Sequence, residues 1–212
     1  MYERKIKYEN LEKYVPGIRF AGKYNVPVIQ PSDFCGTDFI GFHFAKAERS
    51  KSEKAVHFYL DDYRFERVWR YPEQYIDLLR QFSCVLSPDF SLFADYPTAI
   101  QIYNHYRKHW VAAYWQAQGI NVIPTICWSG ESSFDWCFDG EPVGATVAVS
   151  SVGTLNNANT RAAFMAGYNE MMERLKPEKI IFYGNIPDEC RGNIVRIRQF
   201  SDKFKEARIN GR

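Results

Sequence analysis

The sequence predicts an α/β protein with a mostly parallel β-sheet and crossover helices. About seven short apolar runs with strand character alternate with four long segments of helical periodicity. Two neighbouring parallel strands must be joined by a crossover segment, which is usually a helix. Several of the apolar runs end in acidic residues. We expect a TIM-like barrel that is partial or irregular, because 212 residues are fewer than the roughly 250 of an eight-unit barrel. An open, doubly wound three-layer sheet is the alternative.

The predicted elements follow from periodicity and from turn residues. Gly119 supplies a stop for the longest helix, and Thr160 is a suitable N-cap for the next one. The strands are expected at residues 26–31, 39–45, 56–61, 84–86, 122–127, 146–150 and 179–183. The helices are expected at residues 63–70, 72–82, 97–118, 161–175 and 194–207.

Composition and length are those of one globular domain spanning residues 1–212, in which residues 1–24 form a wrapping arm. No run reaches the roughly 18 apolar residues of a membrane span, and the first residues lack the apolar centre of a signal peptide. We therefore expect a cytoplasmic protein in a bacterial cell. The five cysteines are scattered without a CxxC pair, so no disulfide framework or cysteine-based metal site is expected.

Charge is placed unevenly along the chain. Residues 1–24 carry six Lys/Arg against three Glu, and residues 191–212 carry seven against two acids, although the net charge is only +2. Basic ends of this kind either contact nucleic acid or another polyanion, or are solvated faces.

Acidic residues stand where several predicted strands end. In VHFYLDD, alternation places His57 and Asp61 on one face of the strand, where they form an acid–base or metal cluster if the sheet closes. In the alternative interpretation, Asp61 pairs with Arg64 or Arg67. Asp62 is expected to cap the helical segment that follows.

Two further strand ends carry carboxylates. Asp89 follows Pro88 on a loop, and it is either a functional carboxylate or a turn former. Glu131 lies in WSGESSFDW, where Trp128 offers a ring that either stacks on a ligand or fills the core. Carboxylates around one rim suit two chemistries: ligation of Mg²⁺, with Asp61 and Asp89 as ligands, or general acid–base catalysis.

The second half of the chain offers candidate phosphate contacts. Two Gly- and Asn-containing loops follow the strands at 146–150 and 179–183, and one of them leads directly into a helix N-terminus. The candidate contacts are Ser150, Ser151, Gly153, Thr154, Gly184 and Asn185, with Arg161 as an additional charge. His105 and His109 have the i, i+4 spacing of a metal pair, but they flank the apolar stripe of their helix and are expected at its surface edge.

Five segments, HFYLDDYRFERVW, VLSPDFSLF, AYWQAQGINVIPTICWS, ESSFDWCFDG and VAVSSVGT, together resemble the family called domain of unknown function 4417. The resemblance extends from about residue 26 to residue 184. It implies a setting in phages and bacterial mobile elements, and it implies no activity.

Two classes of function remain open. The first is a hydrolase-like enzyme whose site at the strand carboxyl ends acts on a nucleotide or another phosphorylated small molecule. The second is a non-catalytic module that binds nucleic acid or a host protein, or a protein that sequesters a nucleotide without turnover.

Overall fold

A computed structural model describes residues 17–34 and 38–197. An antiparallel pair opens this part of the chain and is followed by two parallel sheets. The pair consists of β1 (Phe20–Ala21) and β2 (Val26–Pro27). The four-stranded sheet consists of β3 (Asp38–Gly41), β4 (Lys54–His57), β5 (Cys84–Leu86) and β6 (Val122–Ile123), and the three-stranded sheet of β7 (Thr146–Ser150), β8 (Lys179–Tyr183) and β9 (Ile194–Ile197).

The two parallel sheets meet just beyond β6. Thr125 and Ala148 form a parallel bridge, in which the backbone N–H of Ile126 donates to the Ala148 carbonyl at 2.7 Å. The seven strands therefore neighbour one another in chain order from β3 to β9. No ladder joins β9 to β3 within the described residues, so a closed barrel is absent there. The predicted parallel α/β architecture is confirmed, and barrel closure is not.

Two long helices provide crossovers, as expected. They are α3 (Thr98–Ala117), between β5 and β6, and α4 (Ala158–Leu175), between β7 and β8. The predicted helical segments at 63–70 and 72–82 are broken into short helices. These comprise α1 (Arg67–Arg70), α2 (Ile76–Leu79) and 3₁₀ turns at Asp62–Arg64 and Pro72–Tyr75; further 3₁₀ turns lie at Phe42–Phe44, Lys51–Glu53 and Glu131–Ser133. No helix in the described ranges is long and apolar enough to cross a bilayer.

Of the two predicted ends of the long helices, the stop after α3 is confirmed and the N-cap of α4 is wrong. Gly119 has φ +78° directly after α3, which is the left-handed conformation expected at a C-terminal stop. The N-cap of α4 is Asn157 rather than Thr160. The Asn157 side chain accepts from the backbone N–H of Thr160 at 3.0 Å, so Thr160 is the third helical residue of a capping box and the helix begins at Ala158.

The predicted terminal helix at 194–207 is wrong at its start. Ile194–Ile197 is strand β9, which pairs in parallel with β8. Three of its four residues are β-branched, and such residues favour a pleated surface when a partner strand is available. Residues 198–207 lie outside the described residues, as do residues 1–16 of the predicted arm.

The two faces of the parallel strands pack into different cores. On β4 and just after it, Val56 and Phe58 face the helices, where Phe58 stacks on Trp115 of α3. Ala55 and Tyr59 face the opposite way, as the alternation predicted. They join a cluster to which all seven parallel strands contribute: Phe39, Cys84, Leu86, Ile123, Ala148, Ile181 and Ile197.

Candidate functional site

A cavity of about 1070 Å³ opens at the carboxyl ends of the parallel strands. Strands β3, β4, β7 and β8 and the loop after β5 all reach its wall, so it occupies the rim where ligands bind in parallel α/β folds. The lining residues are Phe39, Ile40, Gly41, His43, Phe44, Ala47, Glu48, Arg49, Lys54, His57, Tyr59, Leu60, Asp61, Arg64, Asp89, Ser91, Phe93, Ser150, Val152 and Tyr183.

Four of the residues singled out from the sequence line this cavity together: His57, Asp61, Asp89 and Ser150. They come from three strand ends that are separated by up to 93 positions in the chain. Parallel alignment brings these ends to one edge because every strand points the same way. Their proximity is a structural fact, whereas their chemical roles remain predictions.

Asp89 is the carboxyl with the most altered acidity in the cavity wall. Burial raises its pKa to about 7, because a charged carboxylate is poorly solvated there. The nearby Lys108 ammonium lowers the pKa, and the Asp62 carboxylate raises it again. A carboxyl with this pKa is present in both protonation states near neutral pH, which is what general acid–base chemistry requires.

Three rings form a stack beside Asp89. The Tyr59 and Tyr183 rings are 4.7 Å apart and nearly parallel, and the His57 ring lies 4.9 Å from that of Tyr183. The backbone N–H of Tyr59 donates to Nδ1 of His57 at 3.3 Å, so in the neutral ring the proton is on Nε2. The Tyr59 hydroxyl is buried; Thr125 is its polar neighbour, but no hydrogen bond of normal geometry joins it to the described residues.

Cationic side chains also line the cavity. Lys54 bonds Glu48 at 2.9 Å, and this contact together with backbone N–H groups lowers the pKa of Glu48 to about 2. Arg64 lies 3.5 Å from Asp61. The Arg49 side chain is on the same loop as Glu48, but it makes no ion pair among the described residues. The cavity therefore combines positive charge with aromatic surface.

The adjacent acids Asp61 and Asp62 have different environments. Asp61 is 70% exposed and forms the pair with Arg64 that was one of the two interpretations. Asp62 is not a side-chain helix cap: its carboxylate accepts from the backbone N–H and the hydroxyl of Ser91, and it lies 3.7 Å from Arg107. The prediction failed because the better partners are on a loop and a helix remote in sequence.

The candidate phosphate loops are joined to each other. The Ser151 hydroxyl donates to the Asn185 carbonyl at 2.6 Å, and the Thr154 hydroxyl donates to the Ser151 carbonyl. Gly184 has φ +106°, and a Cβ atom there would lie 2.6 Å from Oγ of Ser151, so only glycine fits. Gly153 lies at the turn between them, also with a positive φ of +80°.

Three other candidates lie away from the cavity wall. Arg161 is held by Glu189 in a two-pronged ion pair with distances of 2.9 and 2.7 Å. Glu131 is exposed on a 3₁₀ turn. Trp128 packs against Phe164 and against Gly167 of α4, where a Cβ atom would lie 2.2 Å from the indole nitrogen. The cavity lining includes none of these three residues.

A buried polar cluster was missed by the sequence analysis. His105 and His109 are 1% and 0% exposed, so their predicted place at a surface edge is wrong. Lys108 donates to Glu141 at 2.6 Å and to the Thr125 carbonyl at 2.8 Å. The helix is enclosed on this side by the segment that carries Glu141, and the i, i+4 histidines were the only signal of it.

The described residues form an α/β protein with a cavity at the carboxyl ends of its parallel strands. The chain belongs to the family described as domain of unknown function (DUF4417), whose model matches residues 18–201. The resemblance seen in the sequence is thereby confirmed.

Two phage proteins are similar to this chain. Both are called Gene 1 protein, one from Mycobacterium phage L5 and one from Mycobacterium phage D29, and both are 41% identical over 179 residues. The matches cover 84% of this chain, 78% of the L5 protein and 66% of the D29 protein. The phage setting implied by the sequence agrees with these relatives. No solved structure matches the chain.

Proposed function

We propose that the cavity binds a nucleotide or another phosphorylated small molecule and that Asp89 acts there as a general acid–base in a hydrolase-like reaction. One observation carries the proposal: a carboxyl whose pKa is about 7 lies in the wall of a large cavity that also presents rings and cations. Strongly altered acidity within a concave site is typical of catalytic groups.

The lining supports a ligand with a planar part and an anionic part. Phe44 and Phe93 are 41% and 54% exposed and offer ring surface for a base to stack on. Arg49 supplies positive charge for phosphate oxygens, and Lys54 and Arg64 add theirs when their pairs with Glu48 and Asp61 open. The volume is at the upper end of the roughly 300–1,000 Å³ of small-molecule sites, so a nucleotide fits.

The chemistry follows from the two protonation states of Asp89. As a carboxylate it accepts a proton from an attacking water, and as an acid it donates one to a departing oxygen. His57, on the same wall, supplies a further hydrogen bond to the ligand. In the alternative role of these carboxylates, Asp61 and Asp89 would instead hold a Mg²⁺ ion that neutralises phosphate charge.

In this proposal, the loops after β7 and β8 mainly give one edge of the cavity its shape. Ser150 and Val152 line the cavity, and the bond between Ser151 and the Asn185 carbonyl keeps the two loops together. Gly153, Thr154 and Gly184 complete this turn-rich edge. For Arg161 to contact phosphate, its pair with Glu189 must open, so it is the weakest of the candidate contacts.

A binding experiment tests the proposal. Nucleoside mono-, di- and triphosphates are titrated into the protein in the presence of Mg²⁺ and followed by calorimetry. Phosphate release is then measured. The unaltered chain should bind a nucleotide and turn it over. Asp89→Asn should retain binding and lose at least about a hundredfold in rate, since general acid–base groups contribute roughly 10²–10⁴. Asp135→Asn, which changes an exposed acid in a turn outside the cavity, is the matched control.

The cationic side of the cavity is tested separately. Arg49→Gln should weaken nucleotide binding, whereas Lys46→Gln removes a charge from the same loop but outside the lining and should not. Binding without turnover in every variant would support the second candidate, a protein that sequesters a nucleotide. Absence of binding for the whole series would refute the proposal.

A nucleic-acid or host-protein module is the remaining alternative. Its motivation is the two basic ends, most of whose residues lie outside the described residues. Salt-dependent binding to DNA or RNA that disappears when both ends are neutralised would favour it over the nucleotide site.

We also propose that the seven parallel strands form an incomplete barrel in a single domain. Their neighbour order follows the chain, whereas a doubly wound sheet reverses its order at a switch point. Side chains from all seven strands also meet in one cluster, as in a barrel interior. An experimental structure showing the strands from β3 to β9 wrapped around that cluster would test this.

A further inference from the structure

Two backbone carbonyls set the proton positions of the buried histidines on α3. Nδ1 of His109 lies 2.8 Å from the Pro27 carbonyl, and Nε2 of His105 lies 3.2 Å from the Asp139 carbonyl. A carbonyl oxygen only accepts, so each of these nitrogens carries the proton. Nδ1 of His105 is therefore left with a free lone pair.

The His109 ring and the free lone pair of His105 converge on the carboxylate of Glu141. Nε2 of His109 lies 2.9 Å from Oε1 of Glu141, and one atom each from His105, His109 and Glu141 all lie within 4.8 Å of one another. Nδ1 of His105 and Oε2 of Glu141 are buried and have no hydrogen-bond partner within the described parts of the chain. An unpaired buried acceptor is energetically unfavourable, and here two occur in one cluster.

We propose that His105, His109 and Glu141 bind a first-row divalent metal ion, with Zn²⁺ as the preferred ion. A bound cation would accept the lone pair of His105 and would take the place of the proton between His109 and Glu141, and two histidines with one carboxylate are an established zinc donor set. Histidines that ligate metals usually donate their other N–H to a carbonyl or carboxylate, as both of these do.

The positive charge of Lys108 repels a cation at this site, but the position of the ammonium limits the repulsion. Its ammonium bonds Oε1 of Glu141 and the Thr125 carbonyl, while Oε2 of Glu141 remains unpaired. The ammonium thus orients the carboxylate from one side while its other oxygen is available to an ion. The charge of Glu141 offsets part of the repulsion between the ion and the ammonium.

The site joins three parts of the chain. Both histidines are on α3, Pro27 is on β2, and Glu141 is on the segment before β7. All three side chains are buried, so the ion would be structural and would enter as the chain folds. The proposal does not depend on the cavity function, because the cavity lining includes none of the three ligands.

Metal analysis of the whole chain, purified without a histidine tag and without chelator, tests the site. Elemental mass spectrometry should find about one zinc ion per chain. The chain has four histidines, which provides matched controls. His105→Gln and His109→Gln should lower the zinc content at least tenfold at the same total zinc concentration. His43→Gln and His57→Gln, which change the two histidines outside the site, should leave it unchanged.

A refolding experiment on the unaltered chain tests the proposal even if a variant fails to fold. The unaltered chain is unfolded in denaturant with EDTA and refolded with EDTA, Zn²⁺ or Co²⁺. A higher melting temperature with Zn²⁺ and the visible absorption bands of low-coordinate Co²⁺ are expected. A metal-free chain that takes up neither ion, or zinc content that is equal in all four histidine variants, would overturn the proposal.

Discussion

The carboxylate of Asp62 accepts two hydrogen bonds from Ser91, one from its backbone N–H at 3.2 Å and one from its hydroxyl at 2.9 Å. This contact joins the loop after β4 to the loop after β5, both of which border the cavity. Arg107 of α3 reaches the same carboxylate, and its guanidinium lies 3.7 Å from the centre of the Phe90 ring. The cavity edge is therefore held by side chains from three elements.

Replacing Asp62 by alanine should destabilise the protein by about 1–3 kcal/mol, because the partly buried Ser91 N–H loses its acceptor and Arg107 loses one of its two carboxylate partners. Urea unfolding measures the change. The neighbouring Asp61→Ala is the control: its pair with Arg64 is exposed, so a change below about 0.5 kcal/mol is expected. Equal losses would show that the Ser91 contact does not stabilise the edge.

The ionisation of Asp89 should make stability depend on pH. Its pKa in the folded chain is about 7 against an ordinary value of 3.8, so the folded state binds more protons than the unfolded state between these values. Stability attributable to Asp89 is therefore present at low pH and is lost as pH rises towards 7, at about 1.4 kcal/mol per unit.

Asp89→Asn should remove this contribution, so the variant should gain stability over the unaltered chain as pH rises from 4 to 8. Denaturant unfolding of both proteins across that range measures the difference. Asp135→Asn should give a curve parallel to that of the unaltered chain. A stability difference for Asp89→Asn that does not change with pH would show that Asp89 is ionised throughout.

Lys108→Met should cost about 3–5 kcal/mol, because it leaves Glu141 as a buried carboxylate without its ammonium partner. Chemical unfolding in EDTA measures the loss without any contribution from a metal. Combining it with Glu141→Gln removes both charges, so the double variant should be more stable than Lys108→Met alone. Simple addition of the two single losses would contradict a direct coupling of the pair.

Gly167→Ala should destabilise α4 against its packing partner, although alanine normally stabilises a helix relative to glycine. A Cβ atom at position 167 would lie 2.2 Å from the Trp128 ring nitrogen, so the indole must move at a cost of about 1–3 kcal/mol. Thermal unfolding checks the sign of the change. Gly130→Ala, where a Cβ atom meets open space, is the control and should change the stability little.

Much of the fold was predictable because it depends on local periodicity. The apolar runs that became β5, β7 and β8 and the stripe of α3 are properties of short windows of sequence. The direction of parallel strands then placed His57, Asp89 and Ser150 at one edge without any knowledge of the packing. The α/β class and the position of the rim could therefore be predicted, since both follow from contacts between near neighbours and from strand direction.

Which groups meet across long separations in the chain depends on how the whole chain packs. Glu141 contacts Lys108 and His109 over more than thirty positions, and no periodicity encodes that approach. The same holds for β9, whose residues become a strand because β8 offers an open edge, and for Asp62, whose partner Ser91 is 29 positions away. Burial altered the acidity of Asp89 and enclosed the histidines of α3, and burial belongs to the packed chain as a whole.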